Sequence, residues 1–230
     1  AAKALTKDTN GDGKNDQWGF VEGAGPESFI SSNGGTIVDA NNKYVGNSPE
    51  TAEGLQFYAD LALKYQVRAK DEERTDEPMK MFASGVVGMM NEGDWAHNEP
   101  AKLGMKDEWD IVPIPKGKGG HHGTEYFAGI GVNAGSKYIR YGVLFSEFLM
   151  GPEGRAIQSE DTGFTPDQKK ILEEALANGA PPSFFGYADL RNLIYDVFNQ
   201  VKDGKKNATQ ALEEIKDQAQ ANIDKVLNSK

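Results

Sequence analysis

The chain has 230 residues, of which 38% are hydrophobic, enough for a packed core in one large or two small domains. Its formal net charge of -10 argues against nucleic acid, whose binding needs a basic footprint. It has no Cys, which excludes disulfides, thiolate metal sites and cysteine nucleophiles, and no apolar run approaches the roughly 18 residues of a membrane span.

The opening Ala1–Lys7 reads as the last turns of a helix, so the expectation is a fragment, or a mature chain missing its beginning. Short strands are predicted at Thr36–Val38 and Lys43–Val45, with a turn between them. Ser48-Pro49 then opens a helix, because Ser caps well and Pro at the first helical position forfeits no hydrogen bond. Ala52, Leu55, Tyr58, Ala59, Ala62 and Leu63 share one face of it. The acidic stretch Asp71–Glu77 reads as a solvated loop. A short helix over Met79–Ser84 ends at Gly85. Val86–Met90 is predicted as a buried strand, Trp109–Ile114 as another closed by Pro115, and Tyr126–Asn133 as a closely approached one. Helices are predicted over Tyr138–Met150, Pro166–Ala177 (capped by Thr165), Tyr187–Val201 and Thr209–Leu227. The last carries the seam Leu212, Ile215, Ala219, Ile223 and Val226. Alternating short strands and amphipathic helices favour an α/β class.

Two motifs carry chemistry. In Asp8-Thr9-Asn10-Gly11-Asp12-Gly13-Lys14-Asn15-Asp16, oxygen side chains stand at the first, third, fifth and ninth places, with Gly at the sixth. That spacing predicts a calcium loop with ligands Asp8, Asn10, Asp12, the Lys14 carbonyl and Asp16. Gly19 stands where the usual acidic twelfth ligand would be, and Glu22 is a substitute if the chain folds back. The alternative is an Asx-rich turn without metal. A calcium ion here would brace the loop, not catalyse.

The second motif is Asn91-Glu92-Gly93-Asp94-Trp95, directly after a predicted strand. Strand ends are where α/β sheets bind ligands. An indole offers a face to a sugar ring, and Glu92 and Asp94 offer acceptors to its hydroxyls. The alternative is a core Trp, with the carboxylates capping the next helix. Tyr126 is a candidate cleft-edge aromatic, and Arg191 a candidate donor to a sugar hydroxyl. Enzyme motifs fail: Gly129–Gly135 has its third Gly one place late for a dinucleotide loop. There is no phosphate loop and no G-x-S-x-G elbow. His121 and His122 are adjacent, unlike paired zinc ligands on one helix face, and His97 is isolated.

Several stretches in order carry a resemblance: K-D-T-N-G-D-G-K-N-D-Q-W-G-F at 7–20, S-N-G-G-T-I-V-D at 32–39 and S-P-E-T-A-E-G-L-Q-F at 48–57. They continue with M-F-A-S-G-V-V-G-M-M-N-E-G-D-W-A at 81–96, D-I-V-P-I-P-K-G at 110–117 and G-I-G-V-N-A-G-S-K at 129–137. E-F-L-M-G-P-E-G at 147–154 and A-L-E-E-I-K-D-Q-A-Q at 211–220 complete the set. Together these resemble a family 1 extracellular solute-binding protein of a carbohydrate ABC transporter, of the maltose-binding-protein-like group, without most of its N-terminal lobe. The resemblance implies an α/β, periplasmic-binding-protein-like (type II) lobe, a mixed sheet flanked by helices. Residues 1–128 would form the first part of the C-terminal lobe. Residues 129–168 would be a hinge strand and a returning segment of the N-terminal lobe, and 169–230 the last helices of the C-terminal lobe. Gly129 and Gly131 would lie in the hinge, and an apolar face would be exposed around 132–164.

The resemblance further implies no enzymatic activity, an oligosaccharide ligand, a membrane permease as partner, and an extracytoplasmic location, periplasmic or as a cell-surface lipoprotein. Trp95 matches the family's cleft tryptophan, and Glu22 falls near its polar cleft residue. Arg191 falls where maltose binders carry an aromatic, which argues against maltose itself. Sugar binding by this chain alone is expected to be weak or undetectable. Two other classes are a calcium-braced glycoside hydrolase fragment, which needs two carboxylates across a cleft, and a calcium-dependent surface adhesion module.

Overall fold

Ser48 opens the first long helix as its chemistry demands. Its hydroxyl accepts the Thr51 N–H, and Pro49 follows at the first helical position. The computed structural model describes residues 1–105, 109–126, 129–159 and 163–229. In chain order the helices are α1 (Ala2–Leu5), α2 (Glu27–Ser32), α3 (Pro49–Leu63), α4 (Pro78–Ala83), α5 (Glu99–Lys102) and α6 (Ile139–Met150). They continue with α7 (Pro152–Ser159), α8 (Pro166–Asn178), α9 (Ala188–Lys202), α10 (Ala208–Glu214) and α11 (Lys216–Leu227). Strands β1 (Val21–Glu22) and β2 (Met90–Asn91) pair in parallel, Val21 opposite Met90. A bridge from Trp18 to Val87 continues the same register, and one from Phe20 to Arg68 adds a neighbour on the other side. Helices dominate, around a small sheet.

Two apolar clusters hold these elements. The larger joins α2 and α3 to α9, α10 and α11 through Ile30, Leu55, Ile194, Phe198, Leu212 and Ile223. Burying each such side chain contributes about 1.5–3 kcal/mol before chain entropy is counted. The smaller lies at the sheet, from Trp18, Val21, Ala69, Met81 and Val87. The turn between Val38 and Tyr44 joins the larger cluster, where the Tyr44 hydroxyl donates to the Leu212 carbonyl at 2.9 Å.

Several expectations change. Trp109–Ile114 forms no strand: its alternation is present, but no ladder partner lies beside it, and Val112 is 80% exposed. Within Tyr126–Asn133, Phe127 and Ala128 lie outside the described residues, and 129–133 are not strand. The predicted helix Thr209–Leu227 is two helices that part at Ile215, whose ψ of -1° leaves the helical range. Its first helix is capped by Asn207, which accepts the Gln210 N–H at 2.9 Å. Gly151 does end α6, but Pro152 at once opens α7. Thr165 caps α8 in a reciprocal pair with Gln168, at 3.3 and 3.0 Å. Helix α6 has no buried residue. Tyr141, Leu144, Phe145 and Phe148 on it are exposed, so the apolar face expected around 132–164 is present.

Candidate carbohydrate site

Strands β1 and β2 end side by side at Glu22 and Asn91, and the Gly23 N–H ties the two ends by donating to the Asn91 carbonyl at 2.9 Å. The carboxyl ends of parallel strands are where such sheets present ligand sites. A cavity of about 520 Å³ opens there, lined by Glu22, Gly25, Tyr58, Arg74, Glu92, Tyr195 and their neighbours.

Glu22 is 7% exposed and sits at the base. Its Oε1 accepts from the Tyr58 hydroxyl and from Arg68 Nη1, each at 3.0 Å, and from Arg74 Nη2. Arg68 is 1% exposed and its guanidinium lies 4.9 Å from the centre of the Tyr58 ring. Oε2 of Glu22 has no hydrogen-bond partner. Burial first, then the Glu22 charge, drives the Tyr58 hydroxyl pKa far up.

A further carboxylate, Glu92, lines the cavity, and another, Glu27, lies behind Gly25 of its wall. Glu27 opens α2, is 7% exposed, and accepts the Tyr195 hydroxyl at Oε1 over 3.1 Å, while its Oε2 has no partner. Burial holds its carboxyl above the ordinary carboxylate pKa. Glu92 accepts the Gly93 N–H at Oε1. Gly23 and Gly25 make room for both: a Cβ on Gly23 would stand 1.8 Å from Glu92 Oε2, and one on Gly25 2.2 Å from Glu27 Oε2.

Trp95 is 61% exposed, in the short 3-10 turn Asp94–Ala96 that follows Glu92. Its ring meets Tyr126 edge to face at 5.9 Å, and Tyr126 meets Phe185 at 5.8 Å. The Tyr126 hydroxyl is pushed up to about 12 by burial, then by the charges of Glu27 and Glu92. The structure therefore brings Trp95, Glu92 and Tyr126 together. Arg191 stands one helical turn before Tyr195 on α9, is exposed, and its charge is felt by the Tyr195 hydroxyl. Asp94 is exposed at the start of the 3-10 turn. Glu27, Tyr195, Tyr58, Arg68 and Arg74 were not among the sequence candidates. Tyr195 had one signal: it places a hydroxyl beside the apolar stripe of Leu190, Ile194, Val197 and Val201.

The Asp8–Asp16 loop is closed by its own backbone. Asp8 accepts from Gly11 and Gly13 N–H at 2.6 and 2.8 Å, Asn10 from Asp12 N–H at 2.9 Å, and Asp12 from Lys14 N–H at 2.8 Å. Asp16 accepts the Thr9 N–H and hydroxyl at 2.8 and 2.9 Å, and those bonds hold its carboxyl below the ordinary range. The donor types suit a hard cation. Among the described residues, no three acidic or His side chains converge to hold a metal ion. The three His are otherwise engaged. His97 stacks on Phe164 at 3.9 Å, and His121 and His122 contact the backbone carbonyls of Ile114 and Asn178.

Among the described residues, no helix is long and apolar enough to cross a membrane. The chain is similar in structure to a maltose/maltodextrin-binding domain of Bdellovibrio bacteriovorus bound to maltotriose, at 21% identity and a TM-score of 0.74, over 99% of this chain and 64% of that one. It is similar to an ABC substrate-binding protein of Listeria monocytogenes in complex with cycloalternan, at 20% identity and 0.77, over 99% and 62%. A solute-binding protein of Agrobacterium radiobacter in complex with ribitol matches at 19% identity and 0.70, over 96% and 62%. These likenesses show a periplasmic-binding-protein-like fold, and the chain spans less than two thirds of the length of these structures. A family model described as bacterial extracellular solute-binding protein, a family of binding proteins and not of enzymes, matches residues 2–184. The chain belongs to the bacterial extracellular solute-binding proteins.

Proposed function

We propose that the chain supplies part of an oligosaccharide-capturing site for an ABC importer, outside the cytoplasm, either in a periplasm or as a cell-surface lipoprotein. One observation carries this reading: an exposed indole and a tyrosine meet edge to face beside two carboxylates, at the carboxyl ends of parallel strands. Sugar rings offer C–H faces to such aromatics and hydroxyls to such acceptors. Similar proteins with bound maltotriose and cycloalternan support the ligand class. In this reading 1–128 and 169–230 form one lobe, and 129–168 belong to the facing lobe and hinge. Closure of the two lobes would present the surface a permease reads.

The test is a titration of oligosaccharides into isotope-labelled protein, followed through the tryptophan indole signals. Trp18 is buried and Trp95 exposed, so the two report separately. Selective movement of the Trp95 signal at millimolar sugar is the expected result. Silence of Trp95 toward every sugar, both here and in a longer parent that carries the facing lobe, would sink the reading. A calcium brace for loop 8–16 is a separate proposal. It requires Asp8, Asp12 and Asp16 to turn toward a common point, and a calcium-dependent rise in melting temperature, lost in Asp12→Ala, tests it.

A further inference from the structure

The cations around the cavity are already engaged. Arg68 and Arg74 both bind Glu22, and Lys202 pairs with Asp71 at 2.6 Å. Glu27 and Glu92 take part in no ion pair among the described residues, and Arg191, near Tyr195, stands in solvent. Glu27 is more than nine-tenths buried, and its unpartnered Oε2 lies against Gly25 on the cavity wall. A buried carboxylate oxygen without a donor is costly, and an incoming donor that brings positive charge relieves it most. The neighbouring groups suit such a charge, since the Trp95 and Tyr126 rings attract cations over their faces.

We propose that the carbohydrate taken by this site carries a protonated amino group, held between the Glu27 and Glu92 carboxylates and beside the Trp95 and Tyr126 rings. This rests on the carbohydrate reading above and narrows it to amino sugars. A hydroxyl in the same place would supply one donor and no charge. An ammonium supplies three donors and neutralises two carboxylates that lack a basic partner.

The experiment compares short glucosamine oligomers with their N-acetylated counterparts and with glucose oligomers of equal length. Acetylation keeps the ring and linkage while removing the charge. Binding is read from the Trp95 indole signal of the intact chain, alongside Glu27→Gln and Glu92→Gln. The amino form should bind at least about tenfold more tightly than the acetylated form. That preference should shrink in each variant while Trp18 and Trp109 signals stay in place, which shows the fold intact. Equal or tighter binding of the acetylated or glucose oligomers, with Trp95 moving, overturns the amino group and leaves the carbohydrate reading standing. No movement of Trp95 with any of the three overturns the amino group, and silence of a longer parent that carries the facing lobe overturns the carbohydrate reading as well.

Discussion

Glu22→Gln is the substitution on which the account of the site depends most. In the native protein one carboxylate oxygen meets the Arg68 and Arg74 guanidinium groups and the Tyr58 hydroxyl. At the 3.0 Å separation from Arg68, an effective dielectric of about 20 gives an attraction of about 5 kcal/mol. Gln keeps an accepting oxygen but loses the charge, and Arg68, 1% exposed, loses the carboxylate that balances its own charge. Leaving one buried charge uncompensated costs about 3–5 kcal/mol. At about 2–4 °C per kcal/mol for a chain of this size, the melting temperature should fall by about 6–20 °C. Urea unfolding followed by circular dichroism gives the free energy, and thermal melting gives the shift. The double variant Glu22→Gln, Arg68→Met separates the causes. If stranded charge is the penalty, the double variant is no less stable than Glu22→Gln alone. Costs that simply add, or a single-variant cost below about 1 kcal/mol, would refute the reasoning.

Three more outcomes follow from named contacts. Burial raises the Glu27 pKa, so the folded state holds that proton more tightly than the unfolded chain. Its ionisation therefore costs stability as pH climbs from the ordinary carboxylate pKa through the raised one. Glu27→Gln should raise the melting temperature above that window and leave it nearly unchanged below; a gain equal at both ends would contradict this. Trp95→Ala should change stability by no more than about 0.5 kcal/mol, since the ring is largely in solvent, yet abolish sugar binding; retained binding by calorimetry would exclude Trp95 from the site. Asn207→Ala removes the acceptor of the Gln210 N–H and should cost about 1 kcal/mol by urea unfolding.

The fold was legible where the determining forces are local. Ser48 and Pro49 with the stripe from Ala52 to Ala62 give α3, and Thr165 with Gln168 gives the start of α8. The break at Ile215 was hidden because the apolar seam from Leu212 to Ile223 runs straight through it, and both helices bury it in the same core. Trp109–Ile114 carries strand alternation, but a ladder needs a partner that local pattern cannot supply. At the site, the chemistry of Trp95 and Glu92 could be read from residue types beside a strand end. The contact of Trp95 with Tyr126 could not, because distant segments bring them together. Tyr195 reaches Glu27 across 168 positions of sequence, on a helix whose periodicity announces only core.

The larger core has a consequence for how the protein is made. Helix α3 emerges from the ribosome long before α9, α10 and α11, which cover Leu55 and Ala59. During translation that apolar face has no native partner, and the loop to be closed spans most of the chain. The Tyr44 hydroxyl waits likewise for the Leu212 carbonyl. Folding of this body therefore waits until α10 and α11 have emerged, and until then the nascent chain exposes what those helices will bury. A stop codon before Ala208 would leave α9 alone to cover that face, so loss of α10 and α11 removes far more than their own length.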